Sequence, residues 1–171
     1  TANTAKRTSA STAGKARRLK KDILCSCIYG IDIDIHAVEV AKFSLLIKLI
    51  EDETAPSVSE VVPILPDLGD NIQFGNSLVS QTELNGISGA NRQMMEIAPF
   101  DWSTINNGCG FDVIIGNPPY VNTEGMHALL PSAEVEVYKK KYKTSHKQFD
   151  KYFIFIEQAI NKINENGLVC Y

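Results

Sequence analysis

Asn117, Pro118, Pro119 and Tyr120 stand directly after the apolar run Phe-Asp-Val-Ile-Ile-Gly, residues 111–116. That order of residue types suits one problem in particular. The exocyclic amine of adenine is a poor nucleophile because its lone pair is delocalised into the ring, so alkylating it requires the conjugation to be loosened. Two acceptors aimed at the two amino hydrogens draw the nitrogen toward tetrahedral geometry and direct its lone pair. The side-chain oxygen of Asn117 and the backbone carbonyl of Pro118 are expected to form such a pair. The prolines fix φ and add no competing N–H donor, and Tyr120 offers a face on which a base can stack. No strong general base is needed, and none is evident. The plain alternative is a proline-rich turn with a buried tyrosine.

Two other strand ends carry polar groups. In an open parallel sheet, ligands bind beyond the carboxyl ends of the strands. Within Tyr-Gly-Ile-Asp-Ile-Asp, residues 29–34, Asp32 is expected to accept hydrogen bonds from both hydroxyls of a ribose, since a carboxylate has two oxygens and several lone pairs. Ile33 would lie against an adenine face and Asp34 would cap the next helix. The competing reading leaves both aspartates as caps and turn formers. Within Phe-Gly-Asn-Ser-Leu, residues 74–78, the Asn76 amide oxygen would accept from an amino group on a base edge. Here the competing reading is an ordinary Asn–Ser turn. Further on, Lys139, Lys140, Lys141, Lys143 and Lys147 alternate with Tyr138 and Tyr142. As a group they could touch phosphates, whereas any one of them alone reads as part of a solvated helix face. His36, His127 and His146 lack metal-ligand spacing and read as surface residues, so no metal is expected. Met94 and Met95 read as packing.

These groups need a scaffold of alternating strands and helices. Residues 1–14 are rich in Ser, Thr and Ala and read as a disordered leader, with residues 1–21 as a whole either leader or the start of a helix. A short basic helix over 15–23 feeds a first strand in Leu-Cys-Ser-Cys-Ile-Tyr-Gly-Ile-Asp. The next segment places Val38, Ala41, Leu45 and Leu49 on one helical stripe and Val40, Phe43, Ile47 and Ile50 on another. A proline-rich loop leads to a second strand at 71–75, and residues 80–108 form an irregular, helix-bearing connection. The third strand, 111–116, has the unbroken apolar run of a parallel strand covered on both faces. Residues 149–167 read as an amphipathic helix closed by Asn166-Gly167, and Leu168-Val169-Cys170-Tyr171 begins a fourth strand. The predicted architecture is α/β, a doubly wound parallel sheet.

With 171 residues and 44% hydrophobic content, one domain with a real core is the expectation, occupying residues 22–171. A net charge of -3 excludes a protein that coats nucleic acid over its whole surface, so any such contact must be local. Cys25, Cys27, Cys109 and Cys170 have no zinc-like spacing and are expected as reduced core thiols of a cytosolic protein. No signal peptide is read at the start. The most apolar stretch is broken by Glu39, Lys42 and Lys48, so a soluble protein without a membrane span is expected.

The order and spacing of four segments carry a family likeness. The tetrapeptide 117–120 after its apolar run, residues 30–45 and 75–78 upstream, and residues 151–171 downstream together resemble the catalytic domain of N6-adenine DNA methyltransferases, especially those of type II and fused type IIG restriction-modification systems. The likeness covers most of residues 22–171. It implies a Rossmann-like sheet of the S-adenosylmethionine-dependent methyltransferase type, and a target adenine flipped out of double-stranded DNA. It also implies S-adenosylmethionine as methyl donor, held by Asp32, Ile33, Asn76, Ser77 and Leu78. Asn117, Pro118, Pro119 and Tyr120 would then be the target-base motif. Asn76 departs from the more frequent Asp, keeping an acceptor without the charge, and Ile35 replaces a frequent Pro.

The Gly-rich donor loop of the family has no counterpart here: Gly108 and Gly110 precede a strand, and Gly14 stands alone. The chain is therefore expected to be an incomplete domain lacking the first strand, the C-terminal strands and the target-recognition domain, with a fused or partner endonuclease elsewhere. Alone it is expected to bind cofactor weakly and to be inactive. The same tetrapeptide also suits methylation of RNA or of a protein glutamine, and a non-catalytic scaffold is a third reading.

Overall fold

A computed structural model describes residues 2–51 and 65–171. They form two compact units, Thr1–Gln73 and Phe74–Tyr171.

In the first unit, α1 spans Ala2–Cys27, β1 Gly30–Asp32 and α2 Ile35–Ile50. Strand β2, Ile72–Phe74, pairs with β1. Two sequence expectations are corrected here. For residues 1–14 the disordered leader gives way to a helix from Ala2, the other alternative read for residues 1–21. Leu24 and Cys25 lie in the last turns of that helix, so the first strand is much shorter than the apolar run suggested. The cause is remote in sequence. The buried Asn71 amide donates to the carbonyls of Cys25 and Ile28, both at 2.9 Å, satisfying acceptors that a helix C-terminus leaves open. Asp34 caps α2 as expected, its carboxylate accepting from His36 N at 2.8 Å. Val38 and Leu49 are buried, and Ala41 and Leu45 pack against the cluster of Leu24, Val38, Leu68 and Ile72. The second stripe, with Val40, Phe43 and Ile47, faces outward.

The second unit begins at Phe74, the last residue of β2. The irregular connection is as expected: a short 3-10 turn at Gln81–Leu84, helix α3 over Ala90–Ile97, and two further 3-10 turns before β3, Phe111–Ile115. Then come α4 (Thr123–Leu129), α5 (Ser132–Lys141), α6 (Lys151–Ile160) and β4 (Ile163–Cys170). Leu78, Ile97, Met126, Tyr138 and Ile154 are among the core residues.

Strand β3 pairs in parallel with β4, with an irregularity between Phe111↔Ile163 and Val113↔Leu168. This corrects the expected long final helix, which stops at Ile160. Asn166 does take a left-handed φ of 67°, yet in the strand irregularity and not as a helix cap. Glycine at 167 is required by close approach, since a Cβ there would lie 2.5 Å from Ile163 Cγ1 and 3.0 Å from the Asp112 carbonyl.

The cysteines are a further correction. Cys27, Cys109 and Cys170 are exposed and Cys25 is half-buried, all four as free thiols. Apolar neighbours in sequence did not place them inside, because Cys25 and Cys27 belong to α1 and Cys170 turns outward on β4. No helix among the described residues is long and apolar enough to cross a membrane.

Candidate functional site

The backbone ladder between the parallel strands continues one residue past β3, where Gly116 N donates to Cys170 O at 3.1 Å. Asn117 is therefore the first residue beyond the sheet, and it is exposed. Gly116 lies under the Tyr171 ring, which an added Cβ would approach to 2.9 Å. Pro118 is buried and Pro119 exposed. Tyr120, expected buried on the plain reading, is 75% exposed. Its ring stacks on that of Tyr152, with centroids 5.5 Å apart and planes 12° from parallel.

The segment after Tyr120 is tied to the start of α6. Val121 O accepts from Lys151 N at 2.8 Å, Asn122 pairs with Asp150 as an antiparallel bridge, and the Thr123 hydroxyl donates to Phe149 O at 2.8 Å. The Asp150 carboxylate caps α6 by accepting from Tyr152 N at 2.9 Å. Four residues carrying the expected base chemistry thus sit in a short loop fixed at both ends, by the sheet and by a helix start.

Asn76 lies elsewhere in the second unit and is only 4% exposed. Its Oδ1 accepts from Leu78 N at 3.1 Å and its Nδ2 donates to Glu134 Oε1 at 3.0 Å. The Tyr138 hydroxyl and Lys151 Nζ, the latter at 3.3 Å, reach that same oxygen. Burial, reinforced by the neighbouring Glu134 charge, pushes the Tyr138 hydroxyl well above its ordinary range. The backbone of the turn is gripped as well. Ser77 O accepts from Trp102 Nε1 at 2.9 Å and Gln158 Nε2 at 3.0 Å. Leu78 O accepts from Lys141 Nζ at 3.0 Å and the Tyr142 hydroxyl at 2.7 Å. Asn76 N donates to the carbonyl of Ala98 at 2.6 Å, and Ala98 itself adopts a left-handed φ of 47°. The Asn-Ser-Leu turn is thereby one of the most heavily hydrogen-bonded parts of the unit.

In the first unit, Asp32 and Ile33 close β1. Both are exposed, and Asp32 Oδ1 accepts from Asp34 N at 2.8 Å. Asp32 and Ile33, the residues expected to meet a ribose and a purine face, thus lie side by side at the end of β1, with Ile33 half exposed. Of the lysine group, Lys141 is committed to Glu83 at 2.9 Å and to Leu78 O, and Lys140 to Glu136 at 2.6 Å. Lys139 meets His127 Nε2 at 3.1 Å, while Lys143 and Lys147 are exposed. Among the described residues, no group of three or more His, Cys, Asp or Glu could hold a metal ion.

Sequence reasoning passed over Glu134, Lys151, Tyr152 and Gln158. The signal available for Glu134 was a carboxylate amid Ala133, Val135 and Val137, since charges are seldom placed on an apolar stripe without a partner. Tyr152 had no such signal.

Residues 26–171 match the family described as Eco57I restriction-modification methylase. The type II restriction enzyme and methyltransferase RM.Eco57I of Escherichia coli is 46% identical over 153 residues, which are 90% of this chain and 14% of that protein. A putative type II restriction enzyme and methyltransferase of Methanocaldococcus jannaschii is 38% identical over 66 residues, 39% of this chain and 6% of that protein. The type II methyltransferase M.PaeR7I of Pseudomonas aeruginosa is 35% identical over 57 residues, 33% of this chain and 9% of that protein. The chain spans no more than 14% of the length of these relatives.

Proposed function

Because the chain belongs to the Eco57I restriction-modification methylase family, we propose that it carries the base-binding part of a DNA methyltransferase acting on the N6 amino group of a flipped-out adenine. The observation that carries this reading is the Asn117–Tyr120 loop, set immediately beyond a parallel strand with its aromatic ring open to solvent. The Asn117 side-chain oxygen and the Pro118 carbonyl accept the two hydrogens of the adenine amine. Pro118 and Pro119 hold that carbonyl in place, and Tyr120 stacks on the extruded base.

S-adenosylmethionine supplies the methyl group when bound. Asp32 would hold its ribose and Ile33 its adenine face. The family likeness implies that Asn76, with Ser77 and Leu78, meets the cofactor's adenine through the Asn76 amide oxygen, although that oxygen already accepts from Leu78 N and the amide nitrogen already donates to Glu134. The sheet pairs belong, on this reading, to a Rossmann-like methyltransferase sheet. By analogy with RM.Eco57I, whose name joins restriction enzyme and methyltransferase, the protein carrying this chain would combine both activities in one polypeptide. A DNA substrate would be met in the cytoplasm of a bacterial or archaeal cell.

Replacing Asn117 by Ala in the full-length protein tests this. Methyl transfer from labelled S-adenosylmethionine to mixed-sequence DNA is expected to fall at least about 100-fold, as for loss of one preorganised polar contact in a reaction centre, while calorimetric cofactor affinity is retained. An active Asn117→Ala protein, or label found only in RNA or on protein glutamine, overturns the reading.

A further inference from the structure

We infer that Tyr152 is a positioning residue for the base-stacking ring: it backs one face of Tyr120 and leaves the opposite face as the platform for the base. This rests on the reading of Asn117–Tyr120 given above. An exposed tyrosine retains side-chain freedom that stacking on a base would have to remove. Nothing within Asn-Pro-Pro-Tyr itself fixes the ring of Tyr120, whose side chain stands 75% exposed. The two rings lie 5.5 Å apart at 12°, within the range of an offset stack. They are in contact, so a base meets Tyr120 on its other face.

Tyr152 has the rigidity that Tyr120 lacks. Its backbone N–H is held by the Asp150 cap at 2.9 Å. Its neighbour Lys151 is fixed twice: the backbone N–H donates to Val121 O at 2.8 Å, and Nζ pairs with the buried Glu134 carboxylate at 3.3 Å. The residue before Tyr152 is thereby bonded to the residue after Tyr120, which sets the two rings side by side. Edge contacts from Phe153, at 6.2 Å, and Tyr171, at 6.4 Å, hold the Tyr152 ring from its sides. Tyr171 in turn covers Gly116, immediately before Asn117. A buried ion pair, a helix cap and three aromatic rings thus converge on the orientation of Tyr120.

The test uses the full-length protein, mixed-sequence DNA and labelled S-adenosylmethionine, comparing Tyr152→Phe, Tyr152→Ala and Tyr152→Leu. Tyr152→Phe keeps the stack and is expected within about twofold of wild type in kcat/KM for DNA. Tyr152→Ala and Tyr152→Leu lose it and are expected to fall about two- to tenfold, the worth of one aromatic pair, with cofactor Kd and melting temperature unchanged. Four results overturn the inference: Ala and Leu variants at wild-type rate, a faster Ala variant, a Phe variant as slow as Ala, or a rate loss that tracks weakened cofactor binding or lowered melting temperature. The Asn117→Ala control separates the two levels. If it is inactive while Tyr152→Ala is normal, only the backing role fails; if it stays active, the base-site reading itself fails.

Discussion

Glu157 illustrates how a single side chain organises the loop between α5 and α6. Its carboxylate accepts from Lys143 N at 3.0 Å, Thr144 N at 2.9 Å and the Thr144 hydroxyl at 2.8 Å. Burial raises its pKa, but the Thr144 and Lys143 backbone bonds, the Thr144 hydroxyl and the Lys143 charge together outweigh burial and hold it below the ordinary carboxylate range. A group depressed in the folded state contributes stability that is complete above the unfolded value, about 4.3 for Glu, and lost as pH falls through the lower folded value. The melting temperature is therefore expected to drop on acidification below about pH 4, and less so in Glu157→Gln, which thermal melts from about pH 6 to about pH 3 will read. The position of Asn117–Tyr120 directly after a strand and the Asp34 cap were legible in the sequence because each depends on a few consecutive positions. The partners of Asn76 and Ser77 were not, since Glu134 lies 58 positions away and Gln158 lies 81 away. A lone glutamate or glutamine carries no mark of the bond it makes at that distance.

The helices and strands show a similar division. The buried stripe of α2 follows from periodicity and β3 from its apolar run, and both lie where expected, but β3 is not covered on both faces, since Val113 and Ile115 are exposed. The boundaries set by tertiary contact do not follow. Residues 161–167 have a composition that could continue a helix, and what stops it at Ile160 is the parallel pairing of Ile163 and Leu168–Cys170 with β3. Likewise α1 persists through Cys27 because Asn71, far along the chain, caps it. The junction of α5, α6 and the Asn76 turn depends on one acceptor, Glu134, which is 2% exposed. Glu134→Ala would leave Lys151 charged, buried and unpaired, a loss of about 3–5 kcal/mol in such sites. Urea unfolding of the variant should show that decrease in free energy, and a change below about 1 kcal/mol would mean the pair is not held as described.

Among the described residues both sheets have two strands, and β3 and β4 turn Val113, Ile115 and Leu168 outward at 58%, 75% and 69% exposure. Isolated two-stranded units are marginal without further covering structure, and the chain spans 14% of RM.Eco57I. The 171-residue polypeptide by itself is expected to bind S-adenosylmethionine weakly and to methylate no DNA. Calorimetry and label transfer beside the full-length protein will decide this, and robust transfer by the short chain would refute it. The overall charge, -3, still confines any contact with nucleic acid to a local patch, with Lys143 and Lys147 exposed in the segment between α5 and α6. The Glu134 oxygen that collects Asn76, Tyr138 and Lys151 has a consequence for descent. Loss of the acceptor alone would strand three donors in the interior, whereas loss of Asn76 or Tyr138 would leave the carboxylate its ion pair with Lys151. The four positions are therefore unequal, and Glu134 is expected to be far less free to change than Asn76 or Tyr138.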